Sequence, residues 1–212
     1  MSETVVQIRG LSKIIKGNIV LDNINLNIEK GKIYGLVGRN GSGKSILFKS
    51  ISGLIRPTKG TITVFDQVIG EGNFPKDFGV LLDIPGFLPQ FSSFKNLKIL
   101  ASINNKVSDK EIRESILTVG LNPDDKKPVK KFSLGMKQRL GIAQAIMENP
   151  KLLILDEPMN GLDEEGVIEV RNLLVNFKKR GVTIILSSHN PEDITVLCDH
   201  VYKINNGVVA LK

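Results

Sequence analysis

The sequence holds a single cysteine, Cys198, and no tryptophan. One thiol cannot close an internal disulfide, so the chain is not a disulfide-stapled secreted scaffold. Cys198 follows Ile194, Val196 and Leu197 and reads as a small core residue rather than a reactive thiol. The longest apolar runs, such as Leu152 to Leu155 and Val182 to Leu186, fall far short of the ~20 residues that cross a bilayer. Any membrane role therefore calls for another chain. Met1 to Gly10 lacks the charged-then-apolar pattern of a secretory signal, which together with the lone thiol points to the cytoplasm. Aromatic residues make up only 5% of the chain, and no stacking platform for bases is visible despite a formal net charge of +7. The one dense basic stretch, Lys126, Lys127, Lys130 and Lys131, reads as a solvated loop, with a binding patch as the alternative.

What remains is an ordinary globular composition over 212 residues, which predicts one compact domain with room for an inserted subdomain. Ile24, Leu26 and Ile28 alternate with polar residues as a half-buried strand does, and Ile33 to Val37 runs apolar into a glycine-rich turn. Lys44 to Ser52 then carries Ile46, Leu47, Phe48 and Ile51 at helical spacing and stops at Gly53. Thr61 to Phe65 and Phe78 to Leu82 read as further strands. From about Phe87 to Glu148 the pattern turns helical: Leu97, Leu100 and Ile103 mark one helix, Ile112, Ile116 and Val119 a second, Leu134 to Met147 a third. Leu152 to Leu155 and Val182 to Leu186 are continuous apolar runs that suit a parallel sheet covered on both faces. A helix bearing Ile168, Leu173, Leu174 and Phe177 lies between them. The end reads as a hairpin turning at Asn206-Gly207. The order predicts an α/β fold.

Gly38-Arg39-Asn40-Gly41-Ser42-Gly43-Lys44-Ser45 satisfies the P-loop pattern, after an apolar strand and at the start of a helix. Its glycines let consecutive N–H groups turn toward one anion, and the helix N-terminus adds its positive dipole end. Lys44 would reach the β- and γ-phosphates of a nucleotide, where it serves both binding and catalysis, and Ser45 would ligate magnesium. Asp156 and Glu157 end the run Leu152 to Leu155, and ligands of open α/β sheets gather at the carboxyl ends of strands. Phosphoryl transfer needs mainly positioning and charge neutralisation. We therefore assign Asp156 to magnesium and Glu157 to the attacking water; a cap for the next helix is what such an acidic pair would otherwise be. His189 follows Ser187 and Ser188 at the end of the next strand, where its ring could donate to a γ-phosphate oxygen. His200, the other histidine, matches no motif.

Phe132-Ser133-Leu134-Gly135-Met136-Lys137-Gln138-Arg139 resembles the ABC signature. With the P-loop, Leu155-Asp156-Glu157-Pro158, Gly161-Leu162-Asp163 and Ser188-His189 in that order, the chain resembles ABC transporter ATP-binding subunits over almost its whole length. Ser133 can cap a helix starting at Leu134, and Gly135 lets an anion approach, so a second anion-binding helix end follows.

The resemblance implies a P-loop NTPase core with a mostly parallel sheet, an N-terminal antiparallel β subdomain and an inserted helical subdomain at about 87–148. It implies ATP and Mg2+ as ligands, and a head-to-tail dimer, of two copies or with a related ATPase subunit, in which Ser133, Gly135 and Asp163 touch the partner's nucleotide. It implies a membrane-spanning permease partner docked near Asp83 to Leu97, a place on the inner face of the cell membrane, and no nucleic-acid partner.

Five positions depart from the family pattern, three of them within the signature. The signature usually reads Leu-Ser-Gly-Gly-Gln, whereas Phe132, Leu134 and Met136 stand here at its first, third and fifth positions. The aromatic ring usually set against adenine falls at Ile15, or at Ile14 if the count slides by one. The usual glutamine before the helical subdomain falls at Asp83, either a further magnesium ligand or a cap for the loop before Pro85. Asp83 with the following Ile84-Pro85-Gly86 is similar to ATPase subunits of bacitracin- and lantibiotic-type exporters, which implies export of a drug or antimicrobial peptide. The competing reading is a soluble ABC ATPase acting on nucleic acid or ribosomes, disfavoured because the chain has one nucleotide module and no heptads between Gly38 and Asp156. A sensor without turnover is disfavoured by Glu157.

Overall fold

The computed structural model describes residues 3–70, 72–83 and 86–211; Ile84 and Pro85 of the exporter-like segment, and the first two residues of the N-terminal stretch, lie outside the described residues. Two long strands, β1 (Thr4–Ile15) and β2 (Asn18–Glu29), pair antiparallel. They turn at Lys16-Gly17, both with positive φ, which suits the right-handed twist of a hairpin. β4 (Lys59–Val64) and the short β5 (Gln67–Val68) complete a four-stranded sheet in the order β2-β1-β4-β5. A six-stranded sheet gathers β3 (Ile33–Val37), β6 (Phe78–Leu81), β7 (Leu152–Leu155), β8 (Thr183–Leu186), β9 (His200–Asn205) and β10 (Val208–Leu211), in the order β10-β9-β3-β8-β7-β6. All its pairings are parallel except β9 with β10, which turn at Asn206 and Gly207, again both at positive φ.

The continuous apolar runs are explained by two cores. Leu152 and Ile154 face one core with Tyr34, Leu36 and Ile185, and there meet Leu47, Phe48 and Ile51 of α1 (Lys44–Ile51) and the inner face of the antiparallel sheet. Leu153 and Leu155, alternating with them, face the other core with Ile33, Ile184 and Leu186. That side is covered by α4 (Leu134–Ile146), α5 (Glu164–Lys179) and α6 (Pro191–Leu197). A strand covered on both faces has no polar side to alternate with.

Between β6 and β7 the chain builds α2 (Ser93–Asn104), α3 (Asp109–Thr118), one 3-10 turn (Val129–Lys131) and α4. Ser92 caps α2, and Ser108 with Glu111 forms a reciprocal capping box on α3. Two residues expected on buried helix stripes are exposed: Ile103 at 75% and Ile168 at 56%. The buried stripe of α2 runs through Leu97 and Ala101, and that of α5 through Val170, Leu174 and Phe177. At 3.6 residues per turn, Ile168 lies about 200° round the helix from Val170. Cys198 is half-buried, and burial with the nearby Asp199 and Asp193 pushes its thiol up to about 12, so it stays a thiol at neutral pH. In the basic stretch, Lys126, Lys130 and Lys131 are exposed, and Lys127 lies over the Phe132 ring.

β6 packs on α4 at Gly79, where an added Cβ would lie 1.8 Å from the Ala145 carbonyl oxygen. Overpacking of this kind costs about 1–3 kcal/mol, and each kcal/mol moves Tm by about 2–4 °C in a chain of this size. Gly79→Ala is expected to cost at least the top of that range and to lower Tm by roughly 6–12 °C in a thermal melt; an unchanged Tm would contradict this packing.

Candidate active site

Parallel pairing sets Leu81 beside Leu155 and Leu155 beside Leu186, so the segments after β3, β6, β7 and β8 all leave from one edge of the sheet. The loop from Gly38 to Gly43 joins β3 to α1 there. Gly38 must be glycine, since a Cβ would lie 2.4 Å from the Ile204 carbonyl oxygen and 2.7 Å from Ser42 Oγ. Gly43, the N-cap of α1, has φ 109, a left-handed conformation that side chains resist. Lys44 is only 8% exposed, and its Nζ donates to the carbonyls of Gly38 at 2.7 Å and Arg39 at 3.2 Å. Ser42 Oγ is buried with no hydrogen-bond partner. A buried ammonium, an orphaned hydroxyl and a helix N-terminus facing one loop fit a phosphate anion.

A cavity of about 270 Å³ opens on this loop. Asn40, Gly41, Gly43, Lys44, Ser45 and Ile46 line one side, and Asp156, Glu157, His189 and Val20 complete it. Ser45 Oγ donates to Asp156 Oδ2 at 2.8 Å, and Ser187 Oγ donates to Asp156 Oδ1 at 2.6 Å. Both Asp156 oxygens are thereby engaged. Glu157 Oε2 accepts from the His189 backbone N–H at 3.1 Å, and the His189 ring nitrogen Nε2 lies 3.4 Å from Oε1. Glu157 sits at φ 51, a left-handed conformation that costs on the order of 1–3 kcal/mol outside glycine. Its N–H donates to Ser187 Oγ at 3.0 Å, and its carbonyl accepts from Gln138 Nε2 at 2.9 Å.

A hydroxyl and a carboxylate in contact offer two hard oxygens to a cation. Among the described residues no group of three or more His, Cys, Asp or Glu is placed to hold a metal ion. The donor set suits magnesium, which keeps several waters and takes one or two carboxylates plus substrate phosphates. Ser45 and Asp156 would hold it, and it would supply charge neutralisation at the transferred phosphate.

The remaining expected residues lie outside the cavity. Arg39 is exposed. Ile15 is half-buried and Ile14 exposed near the β1–β2 turn, and neither lines the cavity; Val20 of β2 takes that place. Asp83 is exposed at φ 57, and its Oδ2 pairs with Lys49 Nζ at 2.8 Å. Ser133, Gly135 and Asp163 form a second cluster. Ser133 Oγ caps α4 by accepting from the Met136 N–H at 3.2 Å, and Asp163 caps α5 by accepting from the Gly166 N–H at 3.0 Å. A Cβ on Gly135 would lie 2.8 Å from the Gly161 carbonyl oxygen, so a close approach joins the two helix starts. Sequence reasoning missed Ser187, Gln138 and Val20. Two of them left a trace: Ser187 as a small polar residue directly after a buried strand, and Gln138 as a member of the signature run.

The model of the ABC transporter family matches residues 21–160. The chain belongs to the ABC transporter family. It is 50% identical over 204 residues to the ABC transporter ATP-binding protein YybJ of Bacillus subtilis (strain 168), covering 96% of this chain and 94% of that one. It is 40% identical over 208 residues to the lantibiotic transport ATP-binding protein SrtF of Streptococcus pyogenes, covering 98% and 90%, in keeping with the narrower exporter resemblance. Among solved structures, an ATP-binding subunit of an ABC transporter superposes with a TM-score of 0.88 at 27% identity, covering 98% and 89%. This ABC ATPase therefore binds ATP with Mg2+ and hydrolyses it as the ATP-binding subunit of a transporter. These relatives are described as transporter ATP-binding proteins and give no support to action on nucleic acid or ribosomes.

Val20 lines the cavity and no Phe, Tyr or Trp does, so the nucleobase has apolar area to bury but none of these rings to stack on. Stacking contributes about 1–3 kcal/mol per base, so base selectivity is expected to be poor. ATP and GTP should compete for a fluorescent nucleotide within about tenfold of one another; a hundredfold preference for ATP would mean that another residue grips the base.

Proposed function

We propose that the whole chain acts as one ATP-binding domain, with the helices of residues 87–148 as its inserted subdomain. It exports an antimicrobial peptide or related drug through a separate permease. The observation that carries the catalytic part of this reading is the pair of adjacent carboxylates with different partners. Asp156, bound through both oxygens to Ser45 and Ser187, is the metal ligand. Glu157, bordering the cavity and held by His189, takes the proton as water attacks the γ-phosphorus. The bond from that phosphorus to the bridging oxygen breaks, and ADP leaves with the electron pair. Lys44 leaves the Gly38 and Arg39 carbonyls for the phosphates, and the His189 ring donates to a γ-phosphate oxygen. Asp83 would be a further metal ligand, and Lys49 now holds its Oδ2.

Ser133, Gly135 and Asp163 are separate from the P-loop cavity of their own chain, which supports a role on the nucleotide of a second protomer, a copy or a related subunit. Among the described residues no helix is long and apolar enough to cross a membrane, and the permease would hold the chain at the inner membrane face. A groove between β6, α2 and the end of α4, lined by Phe74, Leu100, Ile103 and Lys106, leaves Phe74 and Ile103 exposed. Its exposed apolar residues suit an amphipathic helix of the permease. The likeness to SrtF, and Asp83 with the Pro-Gly stretch after it, support a peptide or drug cargo.

Glu157→Gln keeps the shape of the side chain and removes the base. It is expected to bind ATP normally, lose turnover and accumulate an ATP-bound dimer on size exclusion; steady-state hydrolysis near the wild-type rate would remove Glu157 from this role.

A further inference from the structure

Ser187 is fully buried at the end of β8 and touches both carboxylates of the site. Its hydroxyl carries one hydrogen and can also accept. The hydrogen goes to Asp156 Oδ1 at 2.6 Å, Glu157 Oε1 stands 3.3 Å away as a second acceptor, and the lone pair takes the Glu157 N–H at 3.0 Å. One small side chain thus orients the Asp156 carboxylate, supports the left-handed backbone of Glu157 and reaches the Glu157 carboxylate. When Asp156 shares its charge with a cation it becomes a weaker acceptor, and the hydrogen has Glu157 Oε1 within reach by rotation alone.

We propose that Ser187 is a positioning residue that links the two halves of the catalytic site. Its hydroxyl turns Asp156 toward the metal and, once the metal is held, turns toward Glu157 and steadies that carboxylate for the water. The inference rests on the assignment of Asp156 to the metal and Glu157 to the water.

The test measures ATP affinity by calorimetry with magnesium and with EDTA, and kcat and KM, in the full chain. Loss of an outer partner of a metal ligand typically lowers metal affinity or activity by about 10–100-fold. Ser187→Ala is expected to bind ATP in EDTA within about twofold of wild type, to lose about tenfold of the affinity gained on adding magnesium, and to lower kcat about 10–100-fold. Ser187→Cys, of similar volume with only a weak donor, should show the same losses and stands in if the alanine variant melts early. Ser187→Thr keeps the hydroxyl and should recover to within about threefold. An unchanged magnesium-to-EDTA ratio in a folded Ser187→Ala or Ser187→Cys variant overturns the proposal, and so does a folded Ser187→Thr as impaired as alanine. Asp156→Asn is measured alongside. If it keeps the full magnesium gain, the metal assignment itself falls; if it loses the gain while the Ser187 variants do not, only the role of Ser187 falls.

Discussion

The hydrogen bond from Ser45 to Asp156 joins the first turn of α1 to the end of β7, residues 111 positions apart in the chain. It spans the boundary between the phosphate loop and the carboxylates, and its length depends on the parallel pairing that aligns β3, β8 and β7. A slip of one residue in any of those pairings would exchange the two faces of a strand. It would also carry the carboxylates away from the loop. The two cores on either side of the sheet prevent such a slip, because Leu152 to Leu155 and Thr183 to Leu186 are buried on both faces.

The site is built from groups that are individually costly to bury. Lys44 is held by two carbonyls, Asp156 by two hydroxyls, and Glu157 is fixed at both ends of its peptide unit by Ser187 and Gln138. Buried polar groups that are fully partnered become rigid, and rigidity is what phosphoryl transfer asks of a protein that positions reactants and neutralises charge. Ser42 Oγ is the exception, buried without a partner inside the phosphate loop. Gln138 adds a further connection: it stands in the helix that Ser133 caps and bonds to the backbone of Glu157. The capped start of α4 is therefore mechanically attached to the residue assigned to the water.

Asp83 and Ile15 are where local pattern and neighbourhood part company. An acidic residue near a triphosphate repels it when bare, yet here the Lys49 ammonium is in contact with that carboxylate. Lys49 lies one turn beyond Ser45 on the same face of α1, a relation invisible until the helix is placed against β6. Ile15 stands at the expected distance along the chain, but the hairpin carries Val20 to the cavity instead.

Local rules were enough for much of the protein. The phosphate loop, the helix after it, the continuous buried strands, the closing hairpin at Asn206-Gly207 and the capped start of α4 each follow from a few adjacent residues, because glycine conformations, helix caps and side-chain periodicity act over one or two turns. The carboxylates after β7 and the histidine after β8 were legible for the same reason, as polar residues ending apolar runs. Tertiary structure alone decided the order of the strands, the exposed faces of α2 and α5 that carry Ile103 and Ile168, and the partners of Asp83. It also decided that Ser187, given no role in the sequence, meets Asp156 and Glu157 some thirty residues away. Such contacts depend on which surfaces pack together. Packing is a property of pairs distant in the chain, so no window of neighbouring residues contains it.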